Sequence, residues 1–183
     1  MIRQRDWVAR TLHDVGLAAW FGGSLMGAVG VNGAAAAVDD PRQRARVANA
    51  GWARWTPVNL AAIGLHLVGA AQLLAANRGR LATQQGVASA SAIKAALTVA
   101  ALVATAYARV AGQRVMDAGD VPVAGGTDAL PATPSRVAKA QSQLKALQWA
   151  IPALTGGALA VSALMGEQQR PAEVARGVAR RAA

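Results

Sequence analysis

Four ionisable side chains stand inside otherwise apolar stretches of this sequence: His13, Asp14, His66 and Lys94. An ionisable residue at the centre of a bilayer costs about 2.5–3.5 kcal/mol on the insertion scale, so each one is by default a candidate functional residue. Histidines can hold a haem iron or another metal. Asn59 shares a helix face with His66. These residue types therefore predict a ligand or cofactor pocket lined by His66, Lys94 and Asn59.

A structural interpretation of the same residues stays open beside the functional one. Lys94 can extend along apolar surface toward Asp14 and the headgroups, with His66 hydrogen-bonded to a neighbouring helix. We predict an Asp14–Lys94 interaction, direct or through water. The helical rise puts His13 near one membrane face and His66 about 15 Å inside it. This depth difference argues against one iron held by both histidines, so a haem or metal is expected through His13 or His66 alone.

The elements that position these side chains are long apolar helices. We predict an all-α fold, an antiparallel four-helix transmembrane bundle in a single domain, because each apolar run has about the 20 residues that cross ~30 Å of hydrocarbon. Asp40 and Pro41 predict the start of a short surface helix, and Thr56 and Pro57 the start of the second span. The predicted spans are 11–37, 57–76, 86–111 and 135–166, followed by a basic tail at 167–183. A flexible loop is predicted at 118–134.

Small residues recur on one face of the first predicted span. Gly16, Gly23, Gly27 and Gly30 follow one another at steps of seven, four and three residues, which keeps them on one side of a helix. In lipid, small residues let two helix backbones approach closely. We therefore expect this face to contact other helices, although the open space could also serve a ligand.

Composition supports a membrane protein and excludes several kinds of chemistry. The chain has 183 residues, of which 54% are hydrophobic and 15% charged, whereas a soluble domain has about 25% charged residues. It has no cysteine, so it can form neither a disulfide nor a thiolate metal site. The net charge of +10 is expected to favour anionic lipid headgroups, not nucleic acid. No dinucleotide, phosphate-loop or zinc motif is present, and we expect no enzymatic activity.

The first span also resembles a known kind of membrane helix. In the string His13-Asp-Val-Gly-Leu-Ala-Ala-Trp20-Phe-Gly22-Gly23, a histidine is followed seven residues later by tryptophan and then by x-Gly-Gly. This pattern resembles the first helix of copper-resistance D-type membrane proteins and of related uncharacterised four-span bacterial families. The resemblance implies a four-helix unit and a metal or haem connection through His13.

These observations lead to two functional hypotheses. The first is an accessory, scaffold or assembly subunit that packs against other membrane proteins or against copies of itself. The second is a membrane protein that binds a cofactor or small ligand: haem, quinone, metal or lipid. We expect the chain in the bacterial cytoplasmic membrane. Basic residues divide equally between the two sides, so the positive-inside rule does not decide the orientation, and other features of the loops favour both termini in the cytoplasm.

Overall fold

The structure, a computed structural model, describes residues 4–84 and 86–182 and is helical in all but its connections. Within these described residues, four helices are long and apolar enough to cross a membrane. We label them α1 to α4 and label the C-terminal helix α5. Their bounds are α1, Gln4–Met26 continued by a π-helical turn Gly27–Val31 and by Asn32–Ala36; α2, Pro41–Ala76; α3, Val87–Met116; α4, Ser135–Glu167; and α5, Pro171–Ala182.

Helix α1 begins well before the predicted position 11. Its helical backbone starts at Gln4, so the polar residues that precede the apolar run belong to the same helix. The π-helical turn Gly27–Val31 inserts extra backbone near its other end, and such turns are frequent at functional sites. Asn32 follows the turn directly. Its side chain accepts a hydrogen bond from Trp52 Nε1 at 3.2 Å and donates to Gln148 Oε1.

Helix α2 corrects the prediction of two separate helices. Asp40 is the N-cap, with its carboxylate accepting from the Arg42 backbone N–H at 3.0 Å, and Pro41 occupies the first turn. The helix then runs without interruption to Ala76, so Pro57 lies inside it. Thr56 does not cap a new helix, because its hydroxyl donates back to the Trp52 carbonyl at 2.9 Å. The apolar run at 57–76 is therefore only the second part of α2, which begins 16 residues earlier, at Pro41.

The remaining helices also extend past their predicted limits. Helix α3 continues to Met116, five residues beyond position 111. Helix α4 spans Ser135–Glu167 and contains Pro152. A short helix, Arg78–Thr83, connects α2 to α3, and the basic tail forms α5. The backbone turns at Gly86 with a φ of +84°, a conformation that glycine adopts without steric cost.

The connection at 118–134, where the sequence predicts a flexible loop, is irregular and is packed against the bundle. Val123 is fully buried, and its backbone N–H donates to the Pro41 carbonyl at 3.1 Å. Thr133 donates to the Pro122 carbonyl at 2.6 Å. From α4, Gln141 Nε2 donates to the Gly125 carbonyl at 2.9 Å. The loop therefore closes over one end of the bundle, where it satisfies its own backbone groups.

The bundle is closed on three sides and open on the fourth. Helix α1 packs extensively along α2 and also against α4, while α4 packs along α3. Helices α2 and α3 meet at few points, and we call the opening between them the α2–α3 seam. The core beside it is centred on Leu17, Trp20, Ile63 and Ala101. The protein is thus an all-helical, four-span bundle with a lateral opening between two of its spans.

Candidate ligand site: a histidine pair in the bundle

Two glycines bring α1 and α2 close enough for their histidines to touch. A Cβ atom at Gly16 would overlap the backbone of Ala62 and His66, and a Cβ atom at Gly69 would overlap the backbone of His13. Each histidine thus lies against the glycine of the opposite helix. The two imidazole centroids are 4.4 Å apart and their planes are inclined by 49°. Close backbone approach, which small residues permit in lipid, therefore creates the pair.

The His13 ring is anchored on one side and free on the other. Its Nδ1 lies 2.6 Å from Asp14 Oδ1, and because the carboxylate accepts, Nδ1 carries the proton. The side chain is 1% exposed, and its Nε2 atom has no hydrogen-bond partner in the described chain. A second proton would place a charge on this buried ring, which would be costly. The ring is therefore neutral, and Nε2 keeps its lone pair.

His66 is held in a similar way. Its Nδ1 lies 3.3 Å from the His13 backbone carbonyl, which can only accept, so Nδ1 is the protonated atom. Its Nε2 lies 3.4 Å from the Thr98 hydroxyl, a long contact that leaves the lone pair weakly engaged. Both rings therefore have the arrangement that metal-binding histidines commonly show, in which one nitrogen is fixed by an oxygen acceptor and the other is available.

Both histidines line a cavity of about 320 Å³ on the α2–α3 seam, which we call the histidine cavity. One end is lined by Arg10, Asp14, Arg80 and Lys94. The remaining wall is mainly apolar. It includes Leu67, Leu74, Val99 and Leu102. Burial, with a smaller contribution from nearby Arg10, lowers the pKa of Arg80, and its guanidinium donates to the Gln168 carbonyl at 3.1 Å.

The predicted Asp14–Lys94 ion pair is not formed directly. Asp14 is bonded to His13 instead, and within residues 4–84 and 86–182 the Lys94 ammonium has neither a hydrogen bond nor an ion pair. Lys94 does line the histidine cavity together with Asp14, His13 and His66. The direct form of the prediction is wrong because Asp14 already has a partner in the adjacent His13, while an interaction through water stays a prediction. The adjacent histidine is a nearer partner.

The predicted depth difference between the histidines is also wrong. Because α1 begins at Gln4, His13 lies nine residues inside it, or ~14 Å along the axis. His66 lies ten residues before the end of α2 at Ala76, or ~15 Å. In antiparallel neighbours these depths coincide, and the rings come into contact. The predicted depth of His13 was wrong because the sequence places the start of the first helix at position 11, whereas α1 begins at Gln4.

Asn59 lies on the His66 face but faces a different space. It lines a second cavity of about 310 Å³, further along the same seam, which we call the amide cavity. Asn59 precedes His66 by seven residues, or about 10 Å along the helix. The two side chains therefore share a face without sharing a pocket. Asn59 is 9% exposed and its Oδ1 atom has no partner in the described chain.

The glycines of the first span differ in what they contact. Gly16 lies against the backbone of α2, while Gly23 lies under the ring of Trp55 and Gly27 under the ring of Trp52. At Gly30, the nearest atoms to an added Cβ belong to Met26 of the same helix. The small-residue face therefore contacts the α2 backbone at Gly16 and the indole rings of two α2 tryptophans at Gly23 and Gly27.

The implied metal or haem can be tested against this donor set. A porphyrin held by both histidines would separate the ring centroids by roughly 6 Å, given metal–nitrogen bonds of about 2.0–2.1 Å. The observed 4.4 Å and tilt do not fit that arrangement. The described residues contain no group of three or more His, Asp or Glu side chains that could hold an ion. A metal or haem iron fits only through the free His13 Nε2, with or without His66 as a second ligand to a bare ion.

One signal for this site was present in the sequence and was missed. Both histidines stand in the pattern Leu-His-x-Val-Gly-x-Ala, at positions 12–18 and 65–71. In antiparallel helices, identical His-x-x-Gly spacings let each histidine meet the other helix's glycine. Comparing the two histidine contexts would have paired the helices and revealed the role of Gly69.

The fold and the cavities define an all-α, multi-pass membrane protein with polar groups buried along an opening between two spans. Comparison with protein families, with characterised proteins and with solved structures finds no match to this chain.

Proposed function

We propose that this protein binds a small amphipathic ligand in the histidine cavity, within the membrane. The observation that carries the proposal is the buried His13 Nε2 lone pair, which has no partner in the described chain. Leaving a buried polar group unsatisfied costs about 1–3 kcal/mol. A ligand that donates a hydrogen bond to this atom, or a metal ion that accepts its lone pair, would remove that cost.

The cavity wall favours a ligand with one polar and one apolar end. The polar end would meet His13 and Lys94, a hydrogen-bond acceptor and a cationic donor. The apolar end would lie against Leu74, Val99 and Leu102. A quinol meets these requirements, because its hydroxyl can donate to imidazole and its second oxygen can accept from lysine. Pockets of this size and composition are typical of small-ligand sites.

The α2–α3 seam would supply the route of access. The cavity lies on it, so a membrane-soluble molecule could enter from the bilayer without crossing the headgroups. An ordinary aqueous ligand would have no such advantage. The quinol class is therefore favoured over a water-soluble metabolite.

The proposal can be tested with Trp20 as an internal reporter. This residue is fully buried, and its ring centroid lies 6.3 Å from that of His66. A short-chain quinone, an efficient quencher of indole fluorescence, should quench purified protein in detergent in a saturable manner. The Trp20→Phe variant should lose most of the saturable quenching, since none of the four other tryptophans lines the histidine cavity.

The variants of the cavity give the decisive comparison. We expect Lys94→Met to weaken quinone binding at least tenfold, because the lysine donates to a quinone oxygen. His13→Leu should weaken binding of the reduced quinol, whose hydroxyl can donate to His13 Nε2, at least tenfold and binding of the quinone less. Asn59→Leu, in the other cavity, should leave both unchanged. Equal affinity in all three variants would contradict the proposal. A parallel titration with Cu²⁺ separates the metal hypothesis. Saturable Cu²⁺ quenching that depends on His13, without quinone binding, would assign the cavity to a metal.

A second candidate function is that of an accessory subunit, in which a helix of another membrane protein or of a second copy occupies the α2–α3 seam. The sparse contact between α2 and α3 favours it. The chain has no cysteine, so single cysteines can be added without background. Leu74→Cys and Val99→Cys, on the two sides of the seam, should then cross-link to a specific partner. Leu164→Cys, exposed on α4, is the matched control and should not.

We further propose that the protein resides in the bacterial cytoplasmic membrane with both termini in the cytoplasm. The four apolar helices support the membrane assignment, and their even number supports termini on one side. Cysteines introduced into the 118–134 loop and into α5 should react oppositely with an impermeant thiol reagent added to intact cells. Equal labelling of both positions would contradict a four-span topology.

A further inference from the structure

The amide cavity is a second polar space on the α2–α3 seam, separate from the histidine cavity. It has a volume of about 310 Å³ and is bounded by α2, α3 and α4, with contributions from α1 and from the 118–134 loop. The Trp52–Asn32–Gln148 hydrogen bonds fix its inner wall. Leu60 and Ile151 form apolar parts of its lining. The cavity is thus a rigid pocket that combines an apolar wall with fixed amides.

Three buried polar atoms of residues that line this space lack hydrogen-bond partners in the described chain. Asn59 Oδ1, Trp55 Nε1 and Thr105 Oγ1 are buried without a hydrogen bond in the described chain, and all three residues line the cavity. They lie on both sides of the seam, on α2 and on α3. Asn59 is more than nine-tenths buried. Together they offer donors and acceptors to one molecule held between the two helices.

The charge of the cavity selects an anion. Among the residues that the structure describes, Arg109 on α3 is the only charged one that lines it, and no Asp or Glu does so. The Arg109 side chain forms no hydrogen bond or ion pair with any part of the chain that the structure describes, and the residue is exposed. A free guanidinium recognises phosphate well, because its planar fork donates two parallel hydrogen bonds.

The depth of the cavity identifies the source of that phosphate. From Pro57 to Ala76, α2 has 20 residues, about the length that crosses the hydrocarbon core. Trp52 and Trp55, on the preceding turns, therefore lie at the level of the interface, where tryptophan is enriched. Arg109 lines the same cavity as these two tryptophans, so we assign it to the same interface. A phosphate at this position belongs to the headgroup of a membrane lipid.

We propose that the amide cavity binds a glycerophospholipid, with its phosphate on Arg109 and its acyl chain along the α2–α3 seam. The headgroup supplies a hydroxyl or ammonium donor to Asn59 Oδ1, while Trp55 and Thr105 donate to lipid oxygens. This site is independent of the histidine cavity, since none of these residues lines both spaces.

Native mass spectrometry of the full chain in detergent tests the proposal. After delipidation, the protein is titrated with phosphatidylglycerol, phosphatidylethanolamine, diacylglycerol and inorganic phosphate. We expect one phospholipid to be retained at substoichiometric lipid, with at least tenfold weaker retention in Arg109→Gln and Asn59→Leu. Arg114→Gln is the matched control, because Arg114 is also exposed on α3 but does not line the cavity.

Each result decides the proposal. Preferential loss of lipid in Arg109→Gln supports it, and this exposed position should not disturb folding even if Asn59→Leu does. Equal retention in Arg109→Gln and Arg114→Gln overturns it. Diacylglycerol retained as well as phospholipid overturns the role of the phosphate. Inorganic phosphate bound with the same dependence on Arg109 overturns the assignment to a lipid.

Discussion

The histidine cavity and the amide cavity are nearly equal in volume and lie on the same α2–α3 seam, yet their chemistry is different. The first is lined by titratable side chains and extends from the two histidines, near the middle of the hydrocarbon core, to Arg80, beyond the end of α2. The second is lined by amides, indoles and one arginine and lies at the interface. The costly ionisable groups therefore occupy the position where lipid offers them least solvation, which favours a functional reason for keeping them there.

The two cavities are also built in different ways. The histidine cavity depends on backbone contact, since Gly16 and Gly69 each lie against the main chain of the opposite helix. The amide cavity depends on side-chain contact, since the rings of Trp55 and Trp52 cover Gly23 and Gly27. A backbone cannot move aside without moving its helix, whereas a ring can rotate. The same residue type on one helix face should therefore tolerate substitution very differently.

The largest expected effect is at the backbone contact. Gly16→Ala and Gly69→Ala should each destabilise the protein by about 3 kcal/mol or more, since overpacking forces backbone shifts. The same shift should separate the histidine rings and weaken ligand binding in the histidine cavity. Thermal unfolding in detergent, together with the Trp20 quenching titration, measures both consequences.

Two other glycines supply matched controls. Gly22 on α1 and Gly64 on α2 have open space where a Cβ would stand. Gly22→Ala and Gly64→Ala should be neutral or stabilising, because alanine is favoured over glycine in a helix by about 1 kcal/mol. If all four alanine variants unfold at the same temperature, the backbone contact is not as close as described.

A smaller effect is expected at the indole contact. Gly23→Leu and Gly27→Leu should cost about 1–3 kcal/mol by displacing Trp55 and Trp52. They should disturb the amide cavity and leave quinone binding in the histidine cavity within twofold of the parent. Substitutions at Gly23 and Gly27 should therefore change the phospholipid titration, and substitution at Gly16 should change the quinone titration. Loss of quinone binding in Gly27→Leu would show that the cavities are mechanically coupled.

The general architecture was predictable because it depends on local properties of the sequence. The prediction of an all-α bundle with four spans is confirmed. Runs of apolar residues determine where spans lie, and the Asp40–Pro41 cap was recognised from its residue types. Pro57 was misread because proline favours a first turn but is also tolerated inside helices whose neighbours supply support. Sequence alone does not distinguish the two cases.

The site was harder to predict because it depends on register between helices. His13, His66, Asp14 and Lys94 were identified as candidates, and all four line one cavity. The partner of Asp14 and the contact between the histidines were missed, since both follow from where α1 begins. The Asn32–Trp52 hydrogen bond was not foreseen either, because it depends on a π-helical turn whose glycines and valines carry no distinctive pattern.

An intermediate effect concerns the Asp14 carboxylate. A double-mutant cycle of Asp14→Asn with His13→Leu should show a coupling of about 1 kcal/mol, because the two side chains share a hydrogen bond at 2.6 Å. The cycle of Asp14→Asn with Lys94→Met should show a weaker coupling, since Lys94 lies in the same cavity without direct contact. Chemical or thermal unfolding of the six proteins measures both terms. A stronger coupling to Lys94 would support the Asp14–Lys94 interaction, direct or through water, that the sequence predicts.

The smallest effect concerns the 118–134 loop, which contributes Gly126 to the amide cavity and no residue to the histidine cavity. Lys145 of α4 donates to Asp128 of this loop at 2.6 Å, with both side chains about half exposed. This hydrogen bond lowers the pKa of Asp128, assisted by Thr127 and opposed by burial. Because the folded-state pKa is below the unfolded value, the pair stabilises the fold above about pH 4, and that contribution is lost as the pH falls through the folded-state value.

Exposed pairs contribute at most about 1 kcal/mol, and solvent and salt screen them. Asp128→Asn should therefore lower the unfolding temperature slightly at pH 7, and the difference from the parent should vanish at high salt and at acidic pH. The backbone bonds from Ala124 and Gly125 to the Asp128 carbonyl remain in the variant, so the loop should keep its position. Quinone binding in the histidine cavity should not change, because the loop does not reach it. A large loss of stability that persists at acidic pH would mean that Asp128 acts through something other than its charge.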